Sequence, residues 1–243
     1  MLLLYTRDFE VTNNRGETVP GPTSTILVEN IVKTYHLGEV KIPALNEVSL
    51  EINEGDFFII TGRNGSGKST LLHQLGLLDR PDSGQIHLHG QDVTRISEKE
   101  RSNLRLRYLG YIFQEYALMA ELTALENVML PAMMIESPRV CKKRARELLA
   151  KVGLEKKMNN LPRQLSGGEQ QKVAIARALV NDPTVIFADE PTANLDSVAA
   201  KDVLSIFKKL NEHDNHTIAM ITHEREETPY GNKVIRLSDG KIV

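Results

Sequence analysis

The sequence of 243 residues contains one cysteine, no tryptophan and no long apolar segment. The single Cys141 excludes a disulfide within the chain and is typical of proteins in a reducing compartment. No run approaches the roughly eighteen apolar residues of a membrane span, so any membrane role is expected to depend on a partner. The apolar residues 1–4 are far fewer than the apolar region of a signal peptide requires, so secretion is not expected.

An excess of charge of one sign is also lacking. Thirty basic and 32 acidic side chains give a formal net charge of −2. Such a balance provides no broad electrostatic attraction to nucleic acid or to anionic lipid. We therefore expect no nucleic-acid partner.

The chain is long enough for one compact domain with an attached lobe but too short for two full domains. Residues 1–25 are rich in turn-forming residues and are predicted to be an extension outside a domain that spans 26–243. Helical patterns dominate from about 115 to 165, and strands alternate with helices beyond that point. This order predicts an α/β fold with a mainly parallel sheet, an antiparallel β subdomain and an inserted helical subdomain.

Apolar runs and turn residues locate the individual elements. Strands are predicted at 26–32, 44–52, 57–61, 185–188 and 217–222, with hairpins at 84–90 and around 239–240. Helices are predicted at 68–76 and 169–180, around 203–210, and from Ser137 until Gly153 stops the helix. His87 and His89 are predicted to share a strand face, which is more typical of a solvated face than of a metal site.

A glycine-rich segment directly follows the apolar run 57–61. It consists of Gly62, Arg63, Asn64, Gly65, Ser66, Gly67, Lys68, Ser69 and Thr70. The glycines allow successive backbone N–H groups to point inward, Lys68 can reach the outer phosphates, and Ser69 offers a hydroxyl to Mg²⁺. The next helix directs its positive end to the same place. The segment predicts a cradle for a nucleoside triphosphate, and a glycine-rich turn that serves only the fold is the alternative.

Two adjacent carboxylates, Asp189 and Glu190, end the apolar run 185–188. Open parallel sheets bind ligands at the carboxyl ends of their strands. Since neighbouring residues of a strand point to opposite sides, the two acids can have different roles. Asp189 is predicted to hold Mg²⁺, and Glu190 is predicted to act as general base toward the water that attacks the terminal phosphate. Two acids that merely end a strand at the surface are the alternative.

The segment LSGGEQQ, residues 165–171, resembles the signature of the ATP-binding subunits of ABC transporters. The resemblance covers about 26–243 and implies a P-loop NTPase core that binds ATP and Mg²⁺ and hydrolyses ATP. Ser166, Gly167 and Gly168 begin a helix with free N–H groups, which is a second anion site. In the family this half-site meets the cradle of another subunit, which implies a homodimer with ATP at the interface. A helix cap without further function is the alternative.

Four further positions match motifs of this family. Tyr35 matches the aromatic residue that stacks on adenine, and Gln114 matches the glutamine that contacts Mg²⁺ and the attacking water. Residues 193–196 match the loop that signals across the dimer, and His223 matches the histidine that touches the terminal phosphate. Taken alone, each has a simpler interpretation: packing for Tyr35, a strand end for Gln114, a helix N-cap for Asp196 and an isolated histidine.

The resemblance also implies a membrane permease as partner, and hence a cytoplasmic protein that is peripheral on the inner face of the cell membrane. Residues 77–84, 122–128 and 191–196 further resemble the lipoprotein-releasing and macrolide-exporting subgroup. The apolar stretch 128–135, with Met129, Met133 and Met134, is a candidate groove for a cytoplasmic helix of the permease, with core packing as the alternative. A soluble ABC ATPase of DNA repair or translation is the alternative function. A kinase that uses the same cradle would leave 165–169 and His223 without a role.

Overall fold

The computed structural model of the protein describes residues 10–12, 18–20 and 24–243. Most of the predicted extension 1–25 lies outside the described residues. Within it, the short strands β1 (Glu10–Thr12) and β2 (Thr18–Pro20) pair antiparallel in a sheet of their own. Ser24 and Thr25 already belong to the next strand, two residues before its predicted start.

Strands and helices then follow in an alternating order. They are β3 (Ser24–Leu37), β4 (Val40–Asn53), β5 (Phe57–Gly62), α1 (Lys68–Leu75), β6 (Ser83–Leu88), β7 (Gln91–Asp92), α2 (Glu98–Tyr108), β8 (Leu109–Ile112), α3 (Ala124–Met129), α4 (Pro138–Lys151), α5 (Gly167–Leu179), β9 (Val185–Asp189), α6 (Ser197–Glu212), β10 (Thr217–Ile221), β11 (Lys233–Ser238) and β12 (Lys241–Ile242). Short 3₁₀ helices lie at Ala132–Met134, Glu155–Lys157, Pro162–Gln164 and Arg225–Tyr230.

The main sheet has six strands in the order β12-β11-β5-β10-β9-β8. All neighbouring pairs are parallel except β11 and β12, which confirms the predicted mainly parallel sheet. The buried residues of β9 and β10 are apolar except Thr217 at the start of β10, because both faces of the sheet are covered by other elements. The carboxyl ends of β5, β9 and β10 consequently meet at one edge, which is where the predicted site residues follow.

The second sheet, in the order β4-β3-β6-β7, is antiparallel. Its β3–β4 hairpin is longer than the predicted strands 26–32 and 44–52, and it continues to a Leu37–Val40 pair at its tip. Tyr35 therefore lies within a strand rather than after one, opposite Ile42. Beyond Val32 the strand pairs with β4 alone, and the side chains of Lys33 and Tyr35 both contact Asp79 outside the sheet.

The helical lobe consists of α3 and α4 with the 3₁₀ turns between and after them. As predicted, Ser137 precedes a helix with Pro138 at its first position, where a missing N–H costs nothing. Thr123 begins α3 with a capping box in which its hydroxyl and the Glu126 carboxylate satisfy each other's backbone N–H groups. The lobe packs on α5 through a continuous apolar cluster.

The prediction that His87 and His89 share one strand face is wrong. The strand β6 ends at Leu88, and His89 begins the turn to β7 with a φ of 48°. The His89 Nε2 atom lies 3.1 Å from the Thr184 hydroxyl, and burial lowers the pKa of His89 from 6.5 to about 4. Across the described ranges, no group of three or more histidine, cysteine or acidic side chains could hold a metal ion.

None of the helices in the described part of the chain has both the length and the apolar character needed to cross a membrane.

Candidate functional site

The glycine-rich loop joins the end of β5 to the start of α1 at the carboxyl edge of the main sheet. Gly67 has a φ of 103°, and a Cβ atom there would lie 2.3 Å from the Ala44 carbonyl oxygen. A Cβ atom at Gly62 would lie 2.3 Å from the carbonyl oxygen of Leu237 in β11. The Gly240 N–H, in the turn after β11, donates to the Ser66 carbonyl at 3.0 Å. Close approach of other backbone segments therefore requires glycine here and holds the loop in its shape.

Two side chains of the loop are buried against it. Lys68 is only 5% exposed, and its Nζ atom donates to the carbonyls of Gly62 at 3.0 Å and Arg63 at 3.2 Å. The Ser66 hydroxyl is buried without a hydrogen-bond partner, which leaves a donor available inside the cradle. In contrast, residues 63–65 are exposed at the tip of the loop, and Thr70 is half-buried in α1.

Ser69 and Asp189 are 120 residues apart in the sequence but in contact in the structure. The Ser69 hydroxyl donates to Asp189 Oδ1 at 3.4 Å, so α1 and β9 meet at this pair. Burial raises the pKa of the Asp189 carboxyl, and the Glu190 charge adds to the increase, although His73 opposes it. A hydroxyl and a carboxylate in contact are the hard oxygen donors that Mg²⁺ prefers.

Glu190 does not continue the strand as the alternation argument assumed. The strand β9 ends at Asp189, and Glu190 has a φ of 44°, in the left-handed region. Its backbone N–H donates to the Ile221 carbonyl at 3.2 Å, which joins the ends of β9 and β10. The separation of the two carboxylates thus comes from a turn rather than from strand pleating.

The Glu190 carboxylate bridges the cradle and His223. Its Oε1 atom lies 4.0 Å from Lys68 Nζ, and its Oε2 atom lies 3.2 Å from His223 Nδ1. The His223 Nε2 atom is 3.1 Å from Glu224 Oε1, and a neutral imidazole can donate to only one of these two carboxylates. Lysine, carboxylate and histidine therefore converge at the edge that carries the phosphate cradle.

Tyr35 lies near this edge on the β3–β4 hairpin and is 39% exposed. Its hydroxyl donates to Asp79 Oδ2 at 3.0 Å. Burial raises the pKa of this hydroxyl and Asp79 adds to the increase, while a hydrogen bond with Thr70 opposes both. Burial alone would raise the pKa of Asp79, but hydrogen bonds from Lys33, Arg80 and Tyr35 hold it below its usual range.

Gln114 follows β8 and is exposed. Its carbonyl accepts a hydrogen bond from Asn194 Nδ2 at 3.1 Å, which connects it to the loop 193–196. Asp196 is the N-cap of α6, and its Oδ1 atom accepts from the N–H groups of Val198 and Ala199, both at 2.9 Å. In the described residues, no hydrogen bond joins the Gln114 side chain to Ser69 or Asp189.

Ser166 is the exposed N-cap of α5 and forms a capping box with Glu169. Its hydroxyl accepts from Glu169 N at 3.3 Å, and Glu169 is held by Lys157 at 2.5 Å. The atoms nearest to the Cβ positions of Gly167 and Gly168 belong to Tyr116, Leu195 and Ala199. The helix start is therefore organised and exposed, and its neighbours belong to two loops and the start of α6 rather than to the glycine-rich loop.

The residues fit a magnesium-bound triphosphate. The backbone cradle excludes any Cβ at Gly62 and Gly67, an unpaired buried hydroxyl lies inside it, and a lysine is held at its base. Beside it, Ser69 and Asp189 provide oxygen ligands of the kind that Mg²⁺ takes.

A family model described as ABC transporter matches residues 45–193. The chain belongs to the ABC transporter family. An uncharacterized ABC transporter ATP-binding protein of Methanocaldococcus jannaschii is 51% identical over 219 residues, which cover 90% of this chain and 97% of that protein. The lipoprotein-releasing system ATP-binding protein LolD of Aquifex aeolicus is 48% identical over 216 residues, or 88% of this chain and 94% of LolD.

The macrolide export ATP-binding/permease protein MacB of Syntrophobacter fumaroxidans is 44% identical over 220 residues. That alignment covers 89% of this chain but 31% of MacB. Among solved structures, an ATP-binding cassette in a dimeric post-hydrolysis state with ADP and Pi superposes with a TM-score of 0.83. It is 41% identical, and the match covers 89% of this chain and 96% of the cassette.

These relationships confirm the α/β fold, the ABC family and the subgroup resemblance. The chain is a nucleotide-binding cassette that hydrolyses ATP in association with transport, and the comparisons favour this function over a soluble ATPase of DNA repair or translation.

Sequence reasoning missed Asp79 and Lys33 as contacts of Tyr35, and Asn194 as a contact of Gln114. The i, i+2 spacing of Lys33 and Tyr35 indicates a shared strand face. For Asp79, 44 residues further on, the sequence carries no signal that identifies Tyr35 as its partner.

Proposed function

We propose that two copies of this chain bind two ATP molecules between them and hydrolyse ATP to drive a separate membrane permease. Each site would combine the cradle of one copy with the helix start at Ser166, Gly167 and Gly168 of the other. The observation that carries this proposal is the convergence of Lys68, Glu190 and His223 at one sheet edge, while an organised helix start stands exposed elsewhere in the same chain. The dimeric cassette with ADP and Pi supports the pairing.

In the proposed site, Lys68 donates to the outer phosphates, and the backbone N–H groups of 62–70 donate hydrogen bonds to the phosphate oxygens. Ser69, Asp189 and Gln114 would hold Mg²⁺, which when bound neutralises charge on the phosphate oxygens. Glu190 takes a proton from the water whose oxygen attacks the terminal phosphorus, as the bond to the leaving ADP oxygen breaks. His223 contacts the terminal phosphate, and Tyr35 stacks on the base.

The permease is proposed to dock at the helical lobe, which would place the protein in the cytoplasm, peripheral on the inner face of the cell membrane. LolD is named as the ATP-binding protein of a releasing system, and MacB is named as both ATP-binding protein and permease. A cavity of about 410 Å³ between α2, β8 and the lobe has Phe113, Pro131 and Met134 among its lining residues. Met133 and Met134 beside it are 50% and 76% exposed.

The core-packing alternative for the stretch 128–135 thus applies to only part of it. Val128 and Ala132 are buried, whereas the two exposed methionines are free to contact a partner. Because methionine side chains are flexible and polarizable, such a surface adapts to an apolar helix.

The Glu190→Gln variant tests the shared site. The amide keeps the shape of the side chain but cannot take the proton, so hydrolysis should slow by roughly a hundred to ten thousand fold. ATP should still bind and, because it is not consumed, should hold the variant as a dimer in size-exclusion chromatography with light scattering.

Two second-site variants in the Glu190→Gln background separate the half-sites. Lys68→Ala should prevent dimerisation by weakening ATP binding itself. Ser166→Asp keeps a good N-cap for α5 but puts a negative charge at the helix start, so ATP should bind while the dimer fails to form. A Glu190→Gln chain that binds ATP yet remains monomeric at every concentration would contradict the proposal, and hydrolysis at the parental rate would remove Glu190 from its role.

A further inference from the structure

We propose that Asp79 is a positioning residue for ATP binding: it holds the Tyr35 hydroxyl so that the ring is already oriented for the base. This inference rests on the proposed function, because it concerns the base end of the same ATP site. It assigns a role to a carboxylate that contacts neither phosphate nor metal ligands.

Tyr35 needs such a support because the hairpin tip around it has little packing. Of the residues beyond Tyr35 and Ile42, Leu37 is 73% exposed and Val40 is 59% exposed. A ring on this tip is 39% exposed itself and is not fixed by the core. Without a polar anchor, it would have to be immobilised each time a ligand stacks on it.

The polar anchor is a three-residue contact between Asp79, Tyr35 and Lys33. Both Asp79 oxygens lie 3.0 Å from Lys33 Nζ, and Asp79 Oδ2 also accepts from the Tyr35 hydroxyl at 3.0 Å. Lys33 Nζ lies 5.3 Å from the centre of the Tyr35 ring, within the range of a cation–π contact. The hydroxyl and the ring are therefore held by one carboxylate and its counter-ion.

Asp79 is itself fixed by neighbours that do not touch Tyr35. Its Oδ1 atom accepts from the backbone N–H of Arg80 at 2.7 Å. Its Oδ2 atom accepts from Gln74 Nε2 at 3.2 Å, and Gln74 is fully buried in α1, the helix that begins at the cradle. The carboxylate thus connects the base end of the site to the phosphate end.

The turn that carries Asp79 is clamped from α2. Leu77 has a φ of 59°, a strained conformation for leucine. Arg101, 2% exposed, donates to the carbonyls of Leu77 and Asp79, both at 2.7 Å, and Arg105 donates to the Leu77 carbonyl at 2.7 Å. Two arginines on one turn give the carboxylate a defined position before any ligand arrives.

The expected effect is a modest change in affinity that depends on the base. Ordering one free side chain on binding weakens a complex by about two- to tenfold. Removing the hydroxyl should cost at least as much as removing the carboxylate, because the Tyr35 hydroxyl also shares a hydrogen bond with Thr70. Either loss should be absent for a ligand that has phosphates but no base.

The test is a double-mutant cycle on the full chain, with Asp79→Ala, Tyr35→Phe and the double variant. Titration calorimetry with ATP should show about two- to tenfold weaker binding for each single variant, and the double variant should bind no more weakly than Tyr35→Phe. Inorganic tripolyphosphate should bind all four proteins equally. In steady-state hydrolysis, KM for ATP should rise while kcat is unchanged, since the lost contact acts on binding alone.

Asp214→Ala is the matched control. Asp214 has the same 32% side-chain exposure as Asp79 and a lysine partner, Lys151, at 2.7 Å, but it contacts no site residue. Its ATP affinity should equal that of the parent. Independent, additive losses in the cycle, or an equal loss for tripolyphosphate, would show that Asp79 acts on the fold and not through Tyr35.

Two further outcomes are decisive. If Asp79→Ala does not fold, Tyr35→Phe alone decides, because parental ATP affinity in that variant overturns the inference. A parental chain that binds no ATP would instead overturn the proposed function, so the two failures are distinguishable.

Discussion

At the scale of single residues, the backbone of Glu190 is held in a strained conformation with a φ of 44°. A left-handed conformation for a residue other than glycine, asparagine or aspartate costs about 1–3 kcal/mol. Here it turns the carboxylate away from the line of β9 and toward Lys68 and His223, while the backbone hydrogen bond to Ile221 holds the turn. Asp189, one residue earlier, remains beside Ser69.

Lys68 is the residue whose loss should affect binding most directly. In Lys68→Ala, a charge-assisted hydrogen bond to phosphate is lost, which is worth about 1.5–3 kcal/mol, so the dissociation constant for ATP should rise by roughly ten- to 150-fold. Equilibrium titration with ATP measures this change. Lys151→Ala, which removes an ion pair far from the cradle, is the control, and parental affinity in Lys68→Ala would contradict the assigned role.

Where a short motif fixes residue types and spacing, the sequence predicts which side chains the fold brings together. Lys68, Ser69 and Asp189 are such residues, since a loop after one strand and the end of another strand must meet at the carboxyl edge of a parallel sheet. The contact of Asp79 with Tyr35 could not be predicted, because only the packing of α1 against the hairpin creates it.

At the scale of elements, α2 was absent from the sequence prediction for a physical reason. Arg101 is its only buried residue, so the helix lacks the apolar stripe by which amphipathic helices are recognised. Its start does carry a local signal: Ser97 and Glu100 form a capping box, with the Ser97 N–H donating to Glu100 at 2.9 Å. The helix is stabilised by this cap, by arginine contacts to the turn at 77–79 and by the partly buried side chains of Leu104 and Tyr108.

The apolar stretch 128–135 of the helical lobe leads to a prediction about binding to the permease. Replacing Met133 and Met134 by aspartate puts charge on the proposed docking surface, so co-purification with the permease should be abolished while ATP binding by the isolated chain is retained. Both side chains are exposed, so the fold should tolerate the change. Val198→Asp adds a negative charge at an exposed apolar position on α6, outside the proposed docking surface, and should leave co-purification unchanged. Unchanged co-purification of the methionine variant would remove this surface from the interface.

At the scale of the whole molecule, the mainly parallel sheet, the antiparallel sheet and the helical lobe could be predicted from the order of strands and helices. The contacts that join these parts could not. His89 marks one such junction, since it links the turn after β6 to Thr184 just before β9. A sequence pattern assigned it to a strand face, but the contact across 95 residues places it in a half-buried turn.

That junction makes global stability depend on pH. Well above pH 6.5 the His89 imidazole is neutral in both the folded and the unfolded chain, so it does not lower the free energy of unfolding there. As the pH falls from 6.5 toward 4, the unfolded chain binds a proton that the folded protein excludes, so the free energy of unfolding decreases. Burial lowers the pKa of His216 as well, which acts in the same direction.

Urea unfolding between pH 7 and pH 4 measures this dependence. In His89→Asn, whose side chain tolerates the left-handed turn and does not titrate, the decline in the free energy of unfolding over this range should be shallower than in the parent. Curves of equal slope for the two proteins would show that His89 does not contribute to the pH dependence.

The backbone contacts of the phosphate loop with Leu237 and Gly240 bear on how the protein is made. Residues 62–70 leave the ribosome long before 237–240, so a nascent chain that reaches only the middle of this sequence carries the motif without the backbone contacts that fix its shape. We therefore expect nucleotide binding during synthesis to be weak until the β11–β12 hairpin has been made and has packed against the loop.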